Sequence, residues 1–136
     1  ASPQRIATGF PARRINIILA VLSRRAGLDL GDSDVFLSVI GGLRLTDPAA
    51  DLAVAAALAS ASLDRPIPAG MAFAAELGLG GELRGVSHAE ARLGAATRAG
   101  LQTVVLSNSL EPTLGGQPGA RFADSVSAVL RLLEAP

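Results

Sequence analysis

The sequence predicts an α/β (α+β) domain with helices packed on a small mixed sheet. Short β-branched apolar runs alternate with longer segments whose apolar residues recur at helical spacing. Glycine, proline and aspartate punctuate the joins between them. The apolar fraction is 49% over 136 residues, enough for one domain with a real core. No internal repeat or composition break divides the chain, so a single domain over 1–136 is expected.

Residues 1–10 read as an entering segment with a strand around 5–7. Pro11 opens a helix in which Ile15, Ile18, Leu19 and Leu22 share a face, and Gly27 stops it. Residues 35–40 are β-branched and apolar between aspartate-rich and glycine turns, the pattern of a strand. Thr46 and Pro48 mark the start of a helix that runs to about residue 62. It is apolar nearly all round over 52–59, which places it in the interior. Residues 71–77 form the next strand, and Gly80 and Gly81 turn it into a hairpin with 82–83. Ser87 and Glu90 have the spacing of a capping box for a helix carrying Ala89, Leu93 and Ala96 on one face. After a strand at 103–106, residues 107–119 hold two prolines and three glycines and read as a loop. Phe122, Val126, Val129, Leu130 and Leu133 complete the chain as an apolar helical stripe.

Composition removes several chemistries. There is no cysteine, hence no disulfide, thiolate nucleophile or cysteine metal site, and the cytoplasm is the expected compartment. All twelve basic residues are arginine, so no lysine can serve a phosphate loop, a Schiff base or a Ser–Lys dyad. The longest apolar run, 52–59, is far short of the ~20 residues that cross a bilayer, and no membrane partner is expected. The chain opens on Ala1 without methionine or a signal pattern, so a fragment of a longer protein is expected.

Net charge is zero but unevenly spread. Five arginines and no acid precede Asp29; six aspartates face the single Arg44 from Asp29 to Asp64. Arg13 and Arg14 sit in a helix first turn, where positive charge opposes the macrodipole. Solvation explains them, or an anionic partner bridging both; the sequence leaves both readings open. His88, the only histidine, reads as a surface residue of a helix start. Asp29, Asp32 and Asp34 lack the ligand spacing of a calcium loop and read as a solvated turn, so no metal is expected. Gly78 to Gly81 lies between strands with no lysine after it, which makes it a hairpin rather than a phosphate cradle.

Three segments go further than pattern. Residues 34–54 (DVFLSVIGGLRLTDPAADLAV), 76–84 (ELGLGGELR) and 7–10 (ATGF), the last followed by Arg14 and LAVL at 19–22, fall in order over residues 5–107. Together they resemble the Lon-like C-terminal domain of the bacterial RadA (Sms) family. The resemblance implies a fold like the second domain of ribosomal protein S5 and a role in recombinational DNA repair. It implies an upstream RecA-like ATPase driving branch migration and an upstream zinc motif, so ATP and zinc are not expected in this chain. It implies hexameric rings and DNA, single-stranded or branched, as partner. Active Lon peptidases carry their nucleophile in a Pro-Ser-Ala-Gly turn and a lysine base on a later helix. Matching positions here are Ala49 and Glu90: a methyl cannot attack, and a carboxylate repels a developing oxyanion. The chain is therefore expected not to be an enzyme. Gly85 stands where that family usually has proline, which implies a looser turn.

The expected role is a silent scaffold that lends arginines to a DNA path. The candidates are Arg13, Arg14, Arg24 and Arg25, with Arg84 and Arg92 behind them. The alternative is a non-catalytic peptide-binding or protein-interaction domain that keeps a former substrate groove.

Overall fold

The computed structural model describes residues 2–134. Residues 1, 135 and 136, included in the expected domain and C-terminal bounds, lie outside the described residues. The chain runs β1 (Arg5–Thr8), α1 (Ala12–Ala26), β2 (Val35–Ser38), α2 (Asp51–Leu63), β3 (Met71–Ala74), β4 (Glu76–Leu77) and β5 (Leu83–Arg84). It continues through α3 (Ala89–Arg98), β6 (Thr103–Ser107), α4 (Glu111–Leu114), β7 (Ala120–Ala123) and α5 (Val126–Glu134).

The strands fall into three ladders rather than one mixed sheet. β1 and β2 pair in parallel, β3, β6 and β7 form a parallel sheet with β6 central, and β4–β5 is an antiparallel hairpin. Central β6 is covered on both faces, and its alternation divides the core. Val105 joins the larger cluster with Ile15, Ile18 and Leu22 of α1, Leu52 and Ala55 of α2, and Val126 and Val129 of α5. Val104 and Leu106 point the other way, onto Ala89 and Leu93 of α3 and Leu114 of α4. The helices thus form a layer on each side of the sheet.

Helix α1 buries Ile15, Ile18, Leu19, Val21 and Leu22 and stops at Gly27, whose left-handed φ of 69° suits glycine. Helix α2 buries Asp51, Leu52, Val54, Ala55, Ala56 and Ala59, as an all-round apolar segment must. Four expectations shift. The α2 start is a 3-10 turn, Pro48–Ala50, capped by the Asp47 side chain rather than Thr46. The strand expected over 71–77 breaks at Ala75, whose N–H and C=O are taken by Ala49 O and Leu52 N, both at 3.1 Å. Helix α3 has no capping box: His88 holds the N-cap position at φ 56°, a left-handed geometry with no side-chain cap bond. Phe122 belongs to β7, a strand at 120–123 that the glycine-rich approach hides, and the last helix begins only at Val126.

Candidate functional site

The turn before α2 carries Ala49, the residue expected from the resemblance to stand at the nucleophile position of Lon peptidases. Asp47 Oδ1 accepts from the Ala49 amide at 3.0 Å, and Ala49 is 4% exposed. Two residues on, Asp51 is 1% exposed, and its carboxylate accepts from Leu77 N at 3.2 Å and from Arg14 Nε at 3.3 Å. Arg14 Nη2 also pairs with its second oxygen, so the guanidinium fork grips both oxygens. Asp51 lies in the first turn of α2, where negative charge meets the positive end of the helix dipole. This junction ties α1, α2 and β4 together around one buried charge. The hollow over it holds about 100 Å³ and is lined by Phe10, Arg14, Thr46, Asp47, Asp51 and Glu76 among others.

Glu90, expected from the resemblance at the lysine position, stands exposed in the first turn of α3. It lines a different hollow, of about 410 Å³, with Leu93, Thr97, Arg98 and Gln117. Arg92 connects the two regions. Its Nη2 donates to Asp47 Oδ2 at 2.7 Å and its Nε to Ser87 O at 2.8 Å. The Ala49 amide first, and Arg92 second, hold the Asp47 carboxyl below its usual range. Glu82, at the hairpin, is likewise lowered, by its own backbone amide and then by Arg84.

The six arginines singled out by sequence do not gather into one patch. Arg14 belongs to the interior junction, Arg92 to Asp47, and Arg84 to Glu82 at 3.2 Å. Arg13, Arg24 and Arg25 are exposed and have no acidic partner among the described residues. Arg13 and Arg24 are eleven residues apart, three turns of α1, so they share a stripe with Asn16 and Ala20. All four of these residues are exposed. The rise per residue puts the two arginines about 16 Å apart along the axis. Arg25 leaves the helix on the hairpin side, where a Cβ added to Gly81 would meet its Cβ at 2.8 Å.

A model of the Lon protease (S16) C-terminal proteolytic domain matches residues 30–125, most of the chain. The chain belongs to the Lon C-terminal domain family. Within it, the chain matches the C-terminal part of the DNA repair protein RadA. The RadA of Rickettsia bellii is 44% identical over 108 residues, 79% of this chain and 24% of that protein. The RadA of Escherichia coli K12 is 40% identical over 106 residues, 78% and 23%. That of Mycobacterium tuberculosis is 38% identical over 133 residues, 98% and 28%. The chain spans about a quarter of the length of these relatives.

Smaller features of the Lon-type domain have a physical place too. The aspartates before β2 hold local turns: Asp29 Oδ1 accepts from Gly31 N at 2.9 Å and Asp34 Oδ1 from Gln4 N at 2.8 Å. Among the described residues no group of three or more His, Asp or Glu comes together as a metal site, and no helix is long and apolar enough to cross a membrane. Gly85 is more than a loose turn, because a Cβ there would lie 2.8 Å from Ser109 Oγ.

Sequence reading missed two buried polar residues. Ser107, fully buried, donates to Leu83 O at 2.9 Å and so fastens β6 to β5. Asp51 had a signal: it directly precedes the unbroken apolar run 52–59, so a helix buried on most sides carries it inward too.

Proposed function

We propose that this chain is a catalytically silent Lon-type domain with a fold like the second domain of ribosomal protein S5. It serves as scaffold and DNA-contacting module of a longer, cytoplasmic RadA-type repair protein. In that protein the ATP and zinc sites lie upstream, and copies assemble head to tail as a hexameric ring during branch migration. Silence is supported at Ala49, which offers no nucleophile, and by the absence of any lysine to act as base. The observation that carries DNA contact is the open stripe of α1. Arg13 and Arg24 stand at its two ends, with the exposed Asn16 and Ala20 between them and no acid paired to either among the described residues. No aromatic residue interleaves them, so contacts go to phosphates and are blind to base sequence. Zero net charge makes a single copy a weak binder, and repetition around a ring supplies avidity.

Fluorescence anisotropy on a labelled single-stranded oligonucleotide tests this, with an R13A/R24A variant that leaves the Arg14 pair intact. The expected result is weaker binding, with a log–log salt slope reduced by about 0.7 for each phosphate the variant no longer neutralises. An unchanged affinity and slope removes α1 from the DNA path. Incubation with unfolded casein should give no cleavage; cleavage that follows the domain through re-purification overturns the silent reading.

A further inference from the structure

Several large apolar side chains are left in solvent on β1, on β2 and in the turn after β2. Ile6 and Phe36, register partners on β1 and β2, are 49% and 65% exposed, and Ile40 and Leu43 follow in the next turn. Beside Phe36 a hollow of about 380 Å³ opens between β2 and α2, with Leu30, Val35, Leu58 and Ala61 in its wall and Asp34 on its rim. Asp29 and Asp32 stand in the turn that leads to Asp34, and none of the three is ion-paired among the described residues. This is a largely apolar socket with one acid, Asp34, at its edge. At the β4–β5 hairpin the complement appears. Leu79 stands 74% exposed at the tip, and the stem of Arg25 lies against the same hairpin at Gly81, its cation without an acidic partner among the described residues. The nearby acid, Glu82, is already neutralised by Arg84.

We propose that the hairpin tip of one copy docks in the β2–α2 socket of a second copy, Leu79 entering beside Phe36 and Arg25 meeting Asp34 at the socket's edge. Burying contiguous apolar surface drives the contact, and charge complementarity sets its register. Tip and socket are different patches of the same chain, so the contact is heterologous, and a docked pair keeps one free tip and one free socket for further copies. The assignment rests on the self-assembly part of the function proposed above and locates its surface. It also separates Arg25, which serves the protein contact, from Arg13 and Arg24 on the open stripe.

Sedimentation velocity of this chain at low salt, without DNA, tests the contact through two variants, L79E and F36E. Both positions are largely exposed, and circular dichroism checks that each variant is folded; A61E, on the α2 side of the socket, replaces F36E if it is not. The parent chain should grow beyond monomer with concentration, and each variant alone should stay monomeric. An equimolar mixture should give a one-to-one pair and nothing larger, since only one intact tip and one intact socket can meet. A monomeric parent chain, a variant that still assembles alone, or a mixture that stays monomeric overturns the proposal. None of these outcomes touches the Arg13–Arg24 stripe or the peptidase assay, which stand or fall by their own measurements.

Discussion

Arg13 and Arg14 are chain neighbours in the same helical turn, yet they live in different solvents. Arg14 is one-third exposed and grips a carboxylate that is 1% exposed; Arg13 is in water with no acid paired to it among the described residues. The hundred-degree turn between consecutive residues of a helix sends one toward the α2 start and the other away from it. Identical side chains thus become a structural clasp and a surface charge. Charge counting treats them as one basic patch, whereas only the packed structure tells which arginine is free to meet a phosphate.

The largest expected effect breaks that contrast directly. R14A leaves the Asp51 carboxylate buried with a single amide donor, which should cost about 3 kcal/mol. R13A should change stability by less than about 0.5 kcal/mol. Urea unfolding of the two variants measures both, and equal midpoints would erase the distinction. A smaller effect concerns the site Arg14 supports. A49S places a hydroxyl in a 4% exposed position and should cost about 1 kcal/mol by the same assay. Combined with E90K, it should still release no peptide from casein, because Glu90 lines another hollow. Appearance of hydrolysis in the double variant would mean the two positions still converge.

The smallest effect is electrostatic. Asp47 titrates lower in the folded chain than its ordinary value of 3.8, so the unfolded chain binds its proton more readily as pH falls. Its contribution is therefore complete above that value and fades as pH drops through the folded one. Acid titration of D47N against the parent, followed by thermal unfolding, should show the two converging as pH falls well below 3.8. A gap that persists at the acid end would assign the effect to something other than the carboxylate.

Much of this was legible in the residues. The apolar spacing of α1 and the unbroken apolar run of α2 placed both helices, since burial on one stripe or on all sides leaves different periodicities. The Gly80–Gly81 turn located the hairpin, because few residues besides glycine take the φ of 84° found at Gly81. What escaped depends on contacts distant in sequence. The strand break at Ala75 comes from hydrogen bonds to residues 49 and 52, and β7 is a strand because β6 lies beside it. His88 adopts a left-handed turn, and Arg92 then reaches back to the Ser87 carbonyl, which no capping-box pattern in the sequence anticipates. At the candidate site the motif singled out Ala49 and Glu90 for testing, while the fate of each arginine required its partner's coordinates.

Ala75 has a kinetic consequence. Both its backbone groups are clasped by the start of α2, and the residue itself is fully buried. Opening of the hairpin beyond it can therefore run back along the chain only as far as this residue. Its amide proton should exchange with solvent only when the whole domain unfolds, while those near Leu79 exchange through local excursions. The hairpin tip that carries the exposed leucine thus joins the sheet through a residue whose N–H and C=O are both held by the start of α2.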